Sequence, residues 1–381
     1  MDFLLNEEQD AIRQAAREFA DEVVAPGASE RDLTAAFPTD IVKQLGELGF
    51  MGITVPAEWG GAGADHLSYV LALEEISRAD AGVGVIMSVN NSLCCEPILL
   101  NGSEALKQKY LKRLATCEIL GAYALTEPGA GSDAGALSTS AVKDGESYVL
   151  NGAKAFITNG DSCDLKLVYA KTDPAAPGGK GITAFLIDKG TPGFNVGKHE
   201  DKLGIRCSDC CAINFEDCRV PAENVLGEEG QGFKIALATL DAGRIGIGAQ
   251  ALGIAQAALD ESIKYAKERK QFGKPIAAFQ AIQWKIADMA MRIQASRALL
   301  WRAAWMRDQG MRHTLESSVA KLFASETAVF AGLEAVQIHG GYGYTREYPV
   351  ERLMRDAKIC EIYEGTSEIQ RLVIARQMLA D

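Results

Sequence analysis

The hydrophobic period of this chain changes twice, and this change restricts the possible folds more than any other feature of the sequence. Apolar residues recur at helical spacing from Asn6 to about Cys117, alternate from about Leu120 to Asn224, and return to helical spacing from Gly232. We therefore predict an α+β fold with an N-terminal helical domain over residues 1–118, a middle antiparallel β-barrel or sheet domain over residues 119–230, and a C-terminal four-helix bundle over residues 231–381.

The middle region carries strong turn and strand signals. The dipeptides Asp144-Gly145 and Asn159-Gly160 are typical of tight hairpin turns, and strand-like runs lie beside both. Because so little helical sequence separates these runs, an antiparallel sheet is favoured over a βαβ fold. The runs predicted as strands are Tyr148–Leu150, Ala155–Thr158, Leu165–Ala170, Ile182–Ile187 and Ala212–Phe215.

The C-terminal region is predicted to contain long helices and no strands. Thr314 can cap a helix that Gly340-Gly341 ends, and Pro349 stands where a further helix can begin. His339, just before the two glycines, is predicted to be a bundle residue. Long helices with short connections are typical of a bundle. The apolar stripes that define two of these helices are Leu252, Ala255, Leu259 and Ile263, followed by Ile282, Ile286, Met289 and Ile293.

Charge and cysteine content exclude several classes of protein. The 39 basic and 51 acidic residues give a formal net charge of −12, which disfavours a nucleic-acid partner. Nine cysteines, an odd number, behind an acidic N-terminal segment indicate free thiols in a reducing compartment. We expect a cytoplasmic bacterial protein, or a mitochondrial-matrix protein if a leader has been removed. The apolar runs look too short and too interrupted for membrane insertion.

One cysteine cluster raises the question of a metal site. Cys207, Cys210 and Cys211 lie close together, with Cys218 and His199 nearby. A zinc site of this kind usually has a second C-x-x-C pair, which is missing here, and the cluster stands in strand-like sequence. We therefore predict no metal.

The segment Thr126–Asp133 is the first candidate for ligand binding. Its glycines match the dinucleotide-binding pattern, but Pro128 precedes the first of them and strand-like sequence follows, so a Rossmann fold is disfavoured. What remains is a tight loop that presents the hydroxyls of Thr126 and Ser132 together with free backbone N–H groups. Such a loop can bind a heterocycle or a phosphate, or it can simply connect two domains.

Two further segments combine aromatic and polar side chains. Phe156 and Thr158 stand two residues apart, on one face of a predicted strand, where they could contact a flat ring or belong to the sheet core. Arg269 and Lys270, beside Phe272, could bind phosphate and stack on a ring, or form a polar turn between helices. The spacing alone does not decide between these alternatives.

Glu364 is the candidate for acid–base chemistry. It stands between Tyr363 and Gly365, at the boundary of two helical runs, and its apolar neighbours would raise its pKa toward that of a general base. Ser367 and Gln370 fit a capping box for the helix that follows. A surface glutamate in a loop is the alternative.

Together these segments resemble the acyl-CoA dehydrogenase family over essentially the whole chain. One signature is Ala124-Leu-Thr-Glu-Pro-Gly-Ala-Gly-Ser-Asp-Ala-Gly-Ala136. The other combines Gln337-Ile-His-Gly-Gly-Tyr-Gly343 with Arg355-Asp-Ala-Lys-Ile-Cys-Glu-Ile-Tyr-Glu-Gly-Thr-Ser-Glu-Ile-Gln370. The segments Leu240–Gly246 and Gln250–Gln256 look most like the short-chain, butyryl-CoA branch. The resemblance implies a homotetramer, a dimer of dimers, with FAD bound partly across the interface between subunits.

The resemblance also implies a set of site residues. Glu364 would remove the α-proton of an acyl-CoA while the β-hydrogen leaves as hydride to flavin N5, and the Glu364 N–H with a flavin hydroxyl would stabilise the thioester oxygen. Electrons would then pass to electron-transferring flavoprotein. The residues implied to bind the cofactor are Tyr123, Leu125, Thr126, Gly131, Ser132, Phe156, Thr158, Arg269, Phe272, Gln280, Gln337, Gly341, Thr366 and Glu368. Those implied to bind the substrate are Ser132, Asp241, Arg244 and Gly365.

Some alternatives remain open at this point. Some relatives carry the catalytic carboxylate immediately before Arg244, where this chain has Gly243. The same fold serves acyl-CoA oxidases and flavin monooxygenases, and a non-catalytic scaffold is a further alternative, although Glu364 disfavours it. Ala242 and Gly243 leave space near the reacting carbons, and Met87–Leu93 would shape the pocket floor. This arrangement suits a butyryl, branched or alicyclic acyl group.

Overall fold

The N-terminal part of the chain is helical, as predicted. The computed structural model describes residues 4–380, and its first helix begins with a capping box. The Asn6 side chain accepts a hydrogen bond from the Gln9 N–H at 2.8 Å, and the Gln9 side chain accepts one from the Asn6 N–H at 3.0 Å. The α-helices of this part are α1 (Glu7–Phe19), α2 (Ala28–Thr34), α3 (Thr39–Glu47), α4 (His66–Ala79), α5 (Ala81–Ser88), α6 (Glu96–Asn101), α7 (Glu104–Leu106) and α8 (Lys112–Ala115).

One helical stretch of this part is more apolar than the sequence analysis recognised. The residues Ala81–Asn101 run through α5, a π-helical segment and α6, and by length and hydropathy they could cross a bilayer. In the structure 89% of the most apolar window of this stretch is buried inside the protein, so the stretch belongs to the core. Asn90 in this stretch accepts a hydrogen bond from the Gly121 N–H at 3.0 Å, which joins the helices to the sheet.

The middle part is an eight-stranded sheet with the strand order β6-β7-β3-β2-β4-β5-β8, while β1 pairs with β4. The long strands β3 and β7 form its antiparallel centre, and every run predicted as a strand lies within a strand. The strands are β1 (Gly121–Ala124), β2 (Ser140–Asp144), β3 (Ser147–Thr158), β4 (Leu165–Lys171), β5 (Ile182–Asp188), β6 (Phe194–His199), β7 (Cys210–Pro221) and β8 (Val225–Leu226).

The sheet is not antiparallel throughout, which corrects the prediction. Strand β1 lies parallel to β4, and β2 meets β4 in parallel at Ser140 and Lys171. The hairpin of β2 and β3 lies between β1 and β4 in the sequence, so the chain is long enough to return in the same direction. The parallel pairing places the end of β1, and the loop after it, beside the C-terminal helices.

The C-terminal part is helical apart from one small hairpin. This hairpin pairs Lys270–Gln271 with Lys274–Pro275, so the prediction of no strands after Gly232 was wrong there. The positive φ of Phe272, 54°, and of Gly273, 80°, allows the tight turn. The helices are α9 (Gly232–Glu268), α10 (Gln280–Asp308), α11 (Thr314–His339), α12 (Val350–Ile359) and α13 (Ser367–Leu379).

The ends of α11 agree only partly with the prediction. Gly340, with a φ of 61°, ends the helix as expected, and His339 is buried with its ring stacked 4.2 Å from that of Tyr265. Thr314, however, is the first residue of the helix and not its cap, and its hydroxyl donates to Asp241 at 2.8 Å. This bond ties the start of α11 to the first third of α9.

Helix α9 joins the three parts of the molecule. Gly253 lies against the backbone of α4, where a Cβ would stand 2.9 Å from Arg78 N, and Gly232 lies against the start of β5, where a Cβ would stand 2.6 Å from the Thr183 carbonyl carbon. Arg297 of α10 pairs with Glu74 of α4 at 2.5 Å, which holds the two helical parts together. The large cavity of the molecule opens beside α9, between the sheet and the C-terminal helices.

Candidate active site

A cavity of about 570 Å³ lies where β1, β3, α9 and the segment before α13 meet. It brings together most of the residues that the sequence analysis assigned to the flavin and the substrate. The assigned residues that line it are Tyr123, Leu125, Thr126, Gly131, Ser132, Phe156, Thr158, Arg244, Glu364 and Gly365.

The loop Thr126–Asp133 is held by a buried ion pair that the sequence analysis missed. Lys154 Nζ lies 2.7 Å from a Glu127 carboxylate oxygen, and the two side chains are 0% and 3% exposed. Lys154 also donates to the Leu125 carbonyl at 3.1 Å, and Glu127 accepts bonds from Ser138 and Thr139. Burial opposes the ionisation of Glu127, but Lys154 and these donors lower its pKa to about 2. The loop is therefore anchored while its hydroxyls face the cavity.

Phe156 reaches the cavity because the backbone of β3 is distorted at this residue. Its φ is 58°, a left-handed conformation that a bulky residue rarely adopts, and β3 and β7 lose register between Lys154 and Ile157. The side chain is 64% exposed in this single chain, whereas Lys154, two residues before it, is buried. Simple alternation along the strand would place both on one face. The local distortion turns the ring out of the sheet and toward the cavity.

Glu364 also has a left-handed backbone, with a φ of 52°, and Gly365 follows with a φ of 96°. Two buried side chains hold this turn: Lys321 donates to the Gly365 carbonyl at 2.8 Å, and Gln370 donates to the Glu364 and Gly365 carbonyls at 3.2 and 2.9 Å. Strained backbone of this kind persists only where its surroundings hold it in place.

The cap of the helix after this turn differs from the prediction. The Thr366 side chain, not that of Ser367, accepts the bond from the Ile369 N–H, so Ser367 is the first helical residue. The Gln370 amide turns back to the Glu364–Gly365 turn instead of closing a capping box. The correction matters because it gives Gln370 a place in the site.

Glu364 is half-buried beside the cavity, and its Oε2 atom is inaccessible to solvent. Burial raises its pKa to about 7, against the opposing charges of Lys321 and Arg244. Within residues 4–380 no hydrogen-bond donor reaches its Oε2 atom, and no acceptor is found for its backbone N–H. A carboxyl group with a pKa near neutrality and a free oxygen can accept a proton from a ligand.

Gly243 on α9 makes room for this carboxylate. A Cβ built on Gly243 would overlap Glu364 Oε2 and would stand 2.9 Å from Leu93 Cδ2. Gly243, the position immediately before Arg244, therefore faces Glu364 here. A side chain at 243 and the Glu364 carboxylate cannot occupy their present positions together.

Arg244 lines the cavity, whereas Asp241 supports it from behind. Arg244 Nη1 donates to Asp241 Oδ1 at 2.6 Å, and the arginine is 5% exposed. Burial lowers the arginine pKa, although Asp241 and Glu364 both raise it. Asp241 is not among the residues that line the cavity, so the structure places this predicted substrate residue behind Arg244.

The inner wall of the cavity is apolar. Val85, Val89, Leu93 and Leu240 line it, and Leu93 lies against the Cβ position of Gly243, as the Glu364 carboxylate does. The predicted floor, Met87–Leu93, is thus partly confirmed, because Val89 and Leu93 reach the cavity. Met87 is fully buried, and Ala242 instead lines a small separate void near Tyr69 and Arg307.

The remaining predicted cofactor residues lie elsewhere on this single chain. Arg269 and Gly341 line a second cavity of about 450 Å³, where the Arg269 guanidinium lies 5.5 Å from the Tyr342 ring centroid. Thr366 and Glu368 line a third cavity of about 210 Å³. The side chains that lie on the surface without lining any of these cavities are Phe272, which is 93% exposed, Gln280 and Gln337.

The four cysteines of the cluster carry thiols whose pKa values are all raised by burial. All nine cysteines are free thiols, and burial raises the pKa of Cys211 to about 12. In the part of the chain that the structure describes, no group of three His, Cys, Asp or Glu side chains is placed to hold a metal ion. The Cys207 thiol instead lies 3.5 Å from Asp80.

Three sequence profiles together cover nearly the whole chain. The N-terminal, middle and C-terminal domain profiles of acyl-CoA dehydrogenase match residues 6–118, 122–218 and 230–379. These segments contain the helical part, most of the sheet and the C-terminal helices.

Similar proteins agree with these profiles. The mitochondrial short-chain specific acyl-CoA dehydrogenase of Mus musculus is 54% identical over 98% of this chain and 91% of its own length. The match to the solved structure of butyryl-CoA dehydrogenase from Megasphaera elsdenii covers both chains fully, with a TM-score of 0.98 and 48% identity. A chain from the structure titled as the electron transferring flavoprotein of Acidaminococcus fermentans also covers both fully, with a TM-score of 0.99 and 51% identity. The chain therefore belongs to the acyl-CoA dehydrogenase family of FAD-dependent oxidoreductases.

Proposed function

We propose that this enzyme converts a short-chain acyl-CoA to the 2-enoyl-CoA, with Glu364 as the base that removes the α-proton. The observation that carries the proposal is the Glu364 carboxylate itself, which lies at the cavity wall with an inaccessible, unpartnered oxygen and a pKa raised to about 7. A base of this kind is partly ionised at neutral pH and is poised to accept a proton from a bound thioester.

The residues of the cavity fit a bound FAD. Phe156 presents its ring and Thr158 its hydroxyl at the cavity wall, and both come from β3. At Gly129 and Gly131 a Cβ would meet no atom within 4 Å, so a ligand can approach the loop backbone. We infer that these residues hold the flavin ring, together with Tyr123, Leu125, Thr126 and Ser132.

The side chains here supply the proton chemistry but no hydride acceptor. Bound FAD would supply that acceptor for the β-hydrogen. Glu364 takes the α-proton, and its free N–H can donate to the thioester oxygen as negative charge develops there. The Lys321 and Gln370 bonds fix the turn that aims both groups. Loss of the α-proton and the β-hydride leaves the Cα–Cβ double bond of the product.

The apolar wall supports a short acyl group. Val85, Val89, Leu93 and Leu240 offer no charge or hydrogen-bond donor from their side chains, so the reacting end of the substrate is expected to be a hydrocarbon. The similarity to the butyryl-CoA dehydrogenase of Megasphaera elsdenii supports the same size range. Arg244 and Gly365 would contact the substrate, and Ser132 would lie near both ligands.

Assembly as a homotetramer would complete the cofactor site. On this chain Arg269 and Gly341 line a different cavity from Phe156, and Phe272 lines neither of the two. We infer that they, with Gln280 and Gln337, contact the phosphates and adenosine of a FAD molecule bound by a neighbouring subunit, with Thr366 and Glu368 completing that site. The outward-facing apolar side chains of the C-terminal helices, including Trp284 at 64% and Met291 at 62% exposure, support such packing.

The electron acceptor and the compartment are part of the same proposal. Similarity to a chain in the Acidaminococcus fermentans electron-transferring flavoprotein structure supports that protein class as the partner that reoxidises the flavin. The free state of all nine cysteines supports a reducing compartment, such as the bacterial cytoplasm or the mitochondrial matrix.

An anaerobic titration of the purified enzyme tests the reaction and its substrate. FAD should be released on extraction, and butyryl-CoA should bleach the flavin absorbance faster than octanoyl-CoA, isobutyryl-CoA or glutaryl-CoA. Air should restore the colour more slowly than electron-transferring flavoprotein does. Fast reoxidation by oxygen would indicate an oxidase, and no bleaching by any thioester would refute the proposed reaction.

A further inference from the structure

Lys321 on α11 is a buried cation beside the proposed base. None of its side chain is exposed, and its Nζ donates to the Gly365 carbonyl at 2.8 Å. Within residues 4–380 it belongs to no ion pair closer than 4.0 Å. A buried ammonium without a contacting carboxylate is costly, and here its hydrogen bond is made to the turn that carries the proposed base.

The ionisable groups around Lys321 leave it charged at neutral pH. Burial lowers its pKa to about 8, while Cys360, Glu364 and Glu361 raise it and Arg244 lowers it. The Cys360 thiol is itself neutral, because burial raises its pKa to about 12. The positive charge of Lys321 therefore acts mainly on Glu364.

The ionisable groups around Glu364 point to the same pair. Tyr69, Tyr123 and Tyr363 all have raised pKa values because they are buried, so they stay neutral near pH 7. Arg244 is the other cation, but it already donates to Asp241 at 2.6 Å. Lys321 is thus the cation near Glu364 whose charge no contacting carboxylate neutralises, among the residues that the structure describes.

On the basis of the proposed role of Glu364, we propose that Lys321 is a positioning residue of the dehydrogenation. Its ammonium holds the Glu364–Gly365 turn through the Gly365 carbonyl, and its charge favours the carboxylate form of Glu364, which accepts the α-proton. The first effect is geometric and independent of pH. The second acts on ionisation and therefore changes the pH dependence of flavin reduction.

The sign of the second effect follows from the charges. A positive charge lowers the pKa of a neighbouring carboxyl, so its removal raises that pKa and moves the rising limb of the rate to higher pH. A rise of about one unit from pKa 7 would lower the ionised fraction at pH 7 about five-fold. Lys321 itself loses charge above pH 8, where Glu364 of the unaltered enzyme is already ionised.

The test compares Lys321→Met with Lys166→Met in the FAD-loaded enzyme. Lys166 is also fully buried and donates to a backbone carbonyl, that of Cys163 at 3.1 Å, but it lies on β4 away from the cavity. Anaerobic stopped-flow reduction by butyryl-CoA is measured from pH 6 to pH 9.5. Lys321→Met should move the rise of the rate with pH up by about one unit or more and should also leave a smaller, pH-independent loss at high pH, and Lys166→Met should do neither.

Further variants separate charge from geometry and from folding. Lys321→Arg keeps the charge, so the rate of flavin reduction should still rise near its original pH. Lys321→Gln removes the charge, so the rise should move to higher pH, as in Lys321→Met. If Lys321→Met does not retain FAD, the comparison of Arg with Gln decides. A loss of rate that is equal at every pH, or no loss, would overturn the proposal.

A second readout does not depend on turnover. Infrared titration of the Glu364 carboxyl, identified by its loss in Glu364→Gln, should show the same upward shift in Lys321→Met. If the unaltered enzyme fails to reduce with any thioester, the proposed function fails while this titration still tests Lys321. An unshifted Glu364 titration would overturn the role of Lys321 even if the reaction is confirmed.

Discussion

The contact between Gly243 and Glu364 allows a sharp test of how closely the base is fitted. Gly243→Ala places a methyl group on α9 where the Glu364 carboxylate now lies. Non-bonded atoms need separations of about 3.5 Å, so the carboxylate has to move by roughly 1 Å or more. A displacement of that size typically costs about 10²-fold in rate. We expect flavin reduction by butyryl-CoA to slow by about that factor.

The helix itself should not account for the loss. Alanine is about 1 kcal/mol more favourable than glycine inside a helix, which opposes the cost of the overlap in the free energy of unfolding. FAD content and the thermal midpoint should therefore change little while the reduction rate falls. In the double variant Gly243→Ala with Glu364→Asp, the shorter acidic side chain relieves the overlap. Its rate of flavin reduction should therefore fall by less than the product of the two single losses predicts.

Anaerobic stopped-flow reduction with saturating butyryl-CoA measures these rates, and thermal unfolding checks the fold. A Gly243→Ala enzyme that reduces at nearly the normal rate would refute the geometry, because the carboxylate would then not need its present position. Independent, multiplicative losses in the double variant would show that residues 243 and 364 do not interact.

Three further outcomes are expected. Lys154→Met leaves the Glu127 carboxylate buried without its cation, so urea unfolding should show a loss of about 3–5 kcal/mol. Phe272→Glu puts a charge on the proposed subunit interface, so light scattering should show dissociation of the tetramer together with loss of FAD. In the unaltered enzyme the rate of flavin reduction should rise as the pH passes about 7, since only ionised Glu364 can accept the proton.

The fold could be predicted from the sequence where neighbouring residues decide the structure. The change of hydrophobic period located the helices and strands, and Gly340 ended α11 as expected. The parallel pairing of β1 with β4 could not be predicted in this way, because it depends on which distant strands meet. The hairpin at Phe272 was missed for the opposite reason, since it is too short to show any period.

The residues of the candidate site could likewise be predicted only where a local motif carries them. Glu364, Phe156 and the Thr126 loop were found because their motifs are local and resemble a known family. Gly243 was placed near the reacting carbons, but its contact with the Glu364 carboxylate was not predicted. Lys321 was not recognised as part of the site, because it lies on another helix and only the folded chain brings it to the turn at Gly365. A lysine among the small side chains of the buried face of α11, such as Ala320, Ala324 and Ser325, was the available signal for Lys321.

Backbone conformation was the other feature that the sequence did not reveal. The left-handed φ of Phe156 and Glu364 depends on contacts made elsewhere, such as the Lys321 and Gln370 bonds to the turn at Gly365. The choice of Thr366 over Ser367 as the helix cap follows from the same turn. Local propensity cannot show which of two adjacent hydroxyl residues caps a helix when tertiary contacts place the preceding turn.

The most direct test of the central claim is flavin reduction by the Glu364→Gln enzyme. Glutamine keeps the shape of the side chain and removes its ability to accept a proton, so FAD and butyryl-CoA should still bind. The rate of anaerobic reduction, measured by stopped flow near pH 8, should fall by about 10²–10⁴-fold, and its rise with pH near 7 should disappear. Reduction at close to the normal rate in Glu364→Gln would show that another group removes the α-proton.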